Sequence, residues 1–135
     1  MKHEWIYSGL VTRVVDADTF DITVDLGFDI FQNNRFRLVA LDRTFDAPET
    51  WRPQYESERM HGEAASALAR ELVEGKQVVI KSARRGKYRY VAALFYEDDN
   101  GDVYDLAEVL IANGYQKLDE SEYIKMDEVL SNEQP

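Results

Sequence analysis

The chain has 135 residues, no cysteine and a formal net charge of −10 at pH 7. That length predicts one domain able to bury its own core, and the missing thiols exclude disulfides, thiolate zinc sites and cysteine nucleophiles. The acid excess argues against a bulk binder of polyanions, and no apolar run approaches membrane-spanning length.

The N-terminus, MKHEWIYSGL, lacks the apolar core of a leader peptide, so a cytoplasmic protein, bacterial or phage-encoded, is the expectation. The charge is unevenly spread. Residues 1–96 are neutral, with fourteen acids and fourteen bases, whereas residues 97–135 hold twelve acids and two bases. A stretch from Lys76 to Arg89 carries Lys76, Lys81, Arg84, Arg85, Lys87 and Arg89 and no acid. It reads either as a phosphate-binding patch or as ordinary solvated gatekeeper charge on a strand pair.

In chain order, residues 5–15 (WIYSGLVTRVV) predict a first strand, rich in β-branched and aromatic residues. Asp16 to Thr19 form a turn. Phe20, Ile22, Val24 and Leu26 then alternate with Asp21, Thr23 and Asp25, the period of a half-buried strand. Gly27 to Asn34 reads as a connection, followed by a third strand from near Arg35. In it Phe36, Leu38 and Ala40 alternate with Arg37, Val39 and Leu41. Arg37 is a permanent cation in an otherwise apolar strand, and such a charge needs an anionic partner.

Residues 58–74 predict a helix with Met60, Ala64, Leu68 and Leu72 on one stripe, widened by Ala65, Ala69 and Val73. Gly75 suits a left-handed cap, and Gly62 inside the helix costs up to about 1 kcal/mol relative to alanine. Residues 76–84 and 88–96 predict two more strands with a bend at Arg85-Gly86-Lys87. Asp98 to Asp102 predict a polar turn. A short helix around Leu106, Val109 and Leu110 stops at Asn113-Gly114, and a last one lies near Tyr123–Leu130. The result is an α+β domain over residues 5–117 with an acidic helix or tail over 118–135. Its order of strands and helices fits an OB-fold, a five-stranded barrel with two to three helices.

Chemistry concentrates at strand ends. Asp16-x-Asp18-Thr19 could be a plain acidic turn, and Asp46-Ala47-Pro48-Glu49 could start a helix, with Asp as cap and Glu three residues on. Taken together, these carboxylates offer a hard-oxygen site for Ca²⁺ or Mg²⁺ and a separate general base, and two arginines could clamp a phosphate. Those are the parts of metal-assisted attack of water on a phosphodiester. His3 and His61 lack ligand-spaced neighbours, and Tyr88, Tyr90, Tyr115 and Tyr123 read as packing residues.

The ordered series VVDADTFDITVDLG, FRLVALD, DAPET, HGEAASALARELVEGKQV, KYRYVAAL and LAEVLIANGYQK resembles the thermonuclease, or staphylococcal nuclease-like, family across residues 10 to about 117. The resemblance implies an OB-fold and calcium-dependent hydrolysis of DNA or RNA by a protein expected to be a monomer. It implies Asp18 and Asp46 as Ca²⁺ ligands with the carbonyl of Ala47, Glu49 as general base, and Arg37 and Arg89 on the scissile phosphate. Asp16 and Thr19 would support the metal site. The basic stretch, on its phosphate-binding reading from local charge, would meet nucleic-acid phosphates through Lys81, Arg84, Arg85 and Lys87. Residues 43–46 (RTFD) read as an insertion after Asp42, so Asp42 is an alternative to Asp46 as ligand. A catalytically silent OB-type binding module is the alternative function.

Overall fold

The computed structural model describes residues 4–83 and 90–133. Strand β1 (Ile6–Asp16) pairs antiparallel with both β2 (Thr19–Asp25) and β4 (Gln77–Ser82). Strand β3 (Phe31–Val39) pairs with β2, and β5 (Tyr90–Glu97) with β4. A parallel seam between β3 and β5, from Phe36 opposite Tyr90 to Val39 opposite Ala93, closes the five strands into the OB-fold barrel. Register shifts in β1 at Val11/Arg13 and Val14/Asp16 supply the local coiling that such closure requires. Beyond the barrel, β6 (Val103–Asp105) adds an edge to β5 that the polar-turn expectation did not include.

The period-two alternation of β2 decides which side chains enter the barrel: Phe20, Ile22 and Val24 are buried among Val11, Val14, Leu38, Ile80 and Leu94. Each such side chain contributes roughly 1.5–3 kcal/mol by leaving water. On β3 the same alternation buries Phe36 and Leu38 and leaves Arg37 half-exposed on the outer row. That strand begins at Phe31, four residues before its predicted start. The Leu26 N–H bonds the Ile30 carbonyl and the Ile30 N–H bonds that of Gly27, closing a tight hairpin. Polar residues Gln32 to Asn34 are therefore recruited to the ladder by the turn rather than by their own patterning.

Helix α1 (Glu56–Val73) is capped at Tyr55, so Asp46 to Glu49 do not start it. Its buried face is Glu58, Gly62, Ala65, Ser66, Ala69 and Val73, rotated from the predicted stripe. Met60 is 48 % exposed, because small residues let the helix lie close to the barrel and the bulkier row falls at the margin. Helix α2 (Leu106–Ala112) starts at Asp105, whose carboxylate accepts from the Ala107 and Glu108 N–H groups. Helix α3 (Glu120–Glu133) is longer than predicted and packs on α1 through the buried Tyr123. Its Asp127 accepts the Ser57 N–H at 2.8 Å. Among the described residues, no helix is long and apolar enough to cross a membrane.

Candidate active site

The β1–β2 turn, the end of β3 and the segment after β3 meet over one cleft of about 730 Å³. Asp16, Asp18, Thr19, Arg37, Asp46 and Glu49 line it. Asp18 is held on several sides. The Asp18 N–H donates to Asp16 Oδ1 (3.2 Å), Thr19 Oγ1 donates to Asp18 Oδ1 (3.1 Å), and the Ala47 N–H donates to Asp18 Oδ2 (3.2 Å). The main chain is held as well, since the Asp18 carbonyl accepts from Leu38 N at 2.8 Å. Burial, and then the neighbouring Asp16, push the Asp18 carboxyl up to about 6, while the Ala47 N–H and the Arg37 charge pull it down.

Arg37 meets the anions its strand position demands. Its guanidinium donates to Asp46 Oδ1 and lies 4.0 Å from Asp18 Oδ2. Glu49 is exposed on the cleft wall, and among the described residues no hydrogen bond or ion pair occupies its carboxylate. Asp42 is also exposed but is not among the cleft-lining residues.

The inserted segment is tied down at Arg43, Phe45 and Asp46. Phe45 is 1 % exposed, an anchor in the core. The Ala40 N–H bonds the Arg43 carbonyl, and the Leu41 N–H donates to Asp105 Oδ2 at 2.9 Å. Arg43 grips Glu108 of α2 in a two-pronged pair at 2.9 and 2.6 Å. The Lys117 N–H donates to the Asp46 carbonyl at 2.8 Å, and Lys117 Nζ lies 3.4 Å from the buried Glu58 carboxylate. The insertion thus reaches the cleft at Asp46 with a fixed course.

The donor set suits a hard cation: two aspartates on facing segments, with the Ala47 main chain between them. Among the described residues no three acidic or histidine side chains form a ready ligand cluster, so such an ion would draw on two carboxylates, a carbonyl and water.

Of the basic residues, Lys81 lies on β4 near Glu4 (3.7 Å) and away from the cleft. Arg84, Arg85, Lys87 and Arg89 lie outside the described residues, as do Tyr88 and the bend at Arg85-Gly86-Lys87. The cleft is also lined by Asn34, Arg35, Phe36, Trp51 and Tyr90, to which the sequence reading gave no site role. Arg35 is spoken for, paired with Asp21 through two bonds of 2.8 and 3.1 Å. The signal for Trp51 is its place two residues after Glu49 in a polar loop, where an indole has no local reason to be.

His61, set aside as a lone histidine, is a structural tie. Its Nε2 faces the Gly114 carbonyl at 2.7 Å and its Nδ1 the Tyr123 hydroxyl at 2.8 Å. A carbonyl only accepts, so Nε2 carries the proton and Tyr123 donates to Nδ1. The same hydroxyl accepts from the Leu118 N–H at 3.1 Å.

The model of the staphylococcal nuclease homologue family matches residues 35–134. The chain belongs to that family. The match takes in Arg37, Asp46 and Glu49 and begins after the Asp18 turn, which β2–β3 pairing brings alongside by setting Thr19 opposite Arg37. Comparison with curated proteins gives no match.

Proposed function

We propose that this staphylococcal nuclease homologue is a calcium-dependent nuclease that hydrolyses DNA or RNA phosphodiester bonds with little sequence preference. The observation that carries the reading is the convergence of Asp18, Arg37, Asp46 and Glu49 on one cleft. These residues come from three segments: the β1–β2 turn, β3 and the stretch that follows it.

Asp18, Asp46 and the carbonyl of Ala47 would hold Ca²⁺, with Thr19 donating to the Asp18 carboxylate and Asp16 accepting the Asp18 N–H. When bound, the ion supplies Lewis-acid stabilisation of negative charge on the phosphoryl oxygens. Glu49, unpaired among the described residues, accepts a proton from the attacking water. Arg37 donates to a phosphate oxygen, and its permanent charge opposes the negative charge that builds as water adds to phosphorus. Arg89 would make the second such contact. None of these contacts reads a base edge, which accounts for weak sequence preference.

The test is incubation of the purified chain with single-stranded DNA in Ca²⁺, beside a chelator control and Glu49→Gln. Cleavage that needs both calcium and Glu49 is expected. A folded chain that cuts in neither Ca²⁺ nor Mg²⁺ would sink the enzyme reading in favour of a binding module.

A further inference from the structure

Trp51 is 73 % exposed and lines the cleft beside Glu49 and Arg37. Its indole does not contribute to the core, so it leaves a large apolar face in water at the site where the chemistry gathers. One face is not bare: the Arg52 guanidinium lies 4.6 Å from the ring centroid. That contact depends on a strained backbone, since Arg52 holds φ at +52°, a conformation that bulky side chains rarely adopt. Here the turn folds residue 52 back over residue 51. A cation backing one face fixes the plane of the ring and brings positive charge to the flank of the cleft.

We propose that Trp51, backed by Arg52, is a nucleobase-stacking platform for an unpaired base next to the phosphate held by Arg37. The proposal rests on the reading that this cleft receives a nucleic-acid strand. An indole face stacks on any base, so the platform adds affinity without adding sequence preference. It takes only bases splayed out of a duplex. Tyr90, 40 % exposed on the same cleft, gives a second aromatic wall and leans on Phe36 with ring centroids 5.8 Å apart.

The chain has two tryptophans, so a Trp5→Phe/Glu49→Gln double variant makes Trp51 the single reporter and leaves the strand uncut. Titrating it with hexathymidylate in Ca²⁺ should quench the indole fluorescence saturably. By the anisotropy of a fluorescein-labelled hexathymidylate, a readout that needs no tryptophan, adding Trp51→Ala should weaken binding about fivefold or more, whereas Trp51→Phe should keep most of the affinity. An abasic hexamer should bind equally well with and without the Trp51→Ala substitution. No quenching, equal affinity in Trp51→Ala, or equal loss with the abasic strand would each overturn the proposal. Cleavage by the unaltered chain is scored separately. Trp51-dependent binding without cleavage removes the nuclease reading alone, and cleavage without Trp51-dependent binding removes the platform alone.

Discussion

A methyl group at Gly62 would stand 2.7 Å from the carbonyl oxygen of Pro48. It would also meet Thr50 Cγ2 at 2.8 Å and the Glu49 carbonyl at 3.2 Å. Gly62, a cost to α1 when the helix is considered alone, is the seat on which the Glu49 segment rests. Gly62→Ala gains up to about 1 kcal/mol of helix propensity and pushes that segment away from the barrel. We expect a stability change within about 2 kcal/mol, and a loss of cleavage of the order of 10²-fold from a displaced Glu49. Thermal unfolding and turnover measured on the same variant check it; unchanged turnover would show that Glu49 needs no such seat.

Phe45 holds the insertion. Phe45→Ala should cost about 3–5 kcal/mol, the range for emptying a buried aromatic site. Denaturant titration gives that number directly. A cost below about 1 kcal/mol would mean that the segment is held by its polar ties to α2 instead.

Arg37 stands against both aspartates that the proposed calcium site would use. Removing its charge in Arg37→Gln should abolish cleavage yet tighten Ca²⁺ binding about fivefold or more, because a cation near 4 Å no longer opposes the ion. Calorimetric titration of the nucleic-acid-free protein separates the two effects. Weaker or unchanged calcium binding would place the ion elsewhere.

Acid should loosen the insertion through Glu108. Its hydrogen bond to Arg43 holds the Glu108 carboxyl below its ordinary 4.5. A depressed folded-state pKa contributes stability that is present above 4.5 and lost as pH falls through the folded value. The stability of Glu108→Gln should therefore fall less steeply than that of the parent chain below about pH 4.5. Parallel acid limbs in unfolding curves measured at several pH values would count against it.

Much of the barrel is legible in the sequence because its strands alternate cleanly and its turns carry acids and glycine. Asp18, Arg37 and Glu49 stand out through the ordered series they belong to, since the acids taken singly read as a plain turn and a helix start. The parts that stay hidden are set by contacts distant in sequence. The buried face of α1 follows from how closely it can approach the barrel, which favours Ala65 and Ala69 over Met60. That Asp46 lines the cleft and Asp42 does not goes with the burial of Phe45, an apolar residue in a polar loop whose pocket no local pattern reveals. His61 finds its partners at residues 114 and 123, beyond any ligand-spacing rule.

The seam between Phe36–Val39 and Tyr90–Ala93 joins segments more than fifty residues apart. Strands β1 to β3 form a local meander with little loop entropy to overcome, whereas closing the seam spans the whole of α1 and β4. Arg37 lies in that seam. A chain caught part-way through folding can therefore have a well-formed meander while its arginine still lacks the fixed frame that holds it over Asp18. On the nuclease reading, the cleft is complete only while that seam is closed.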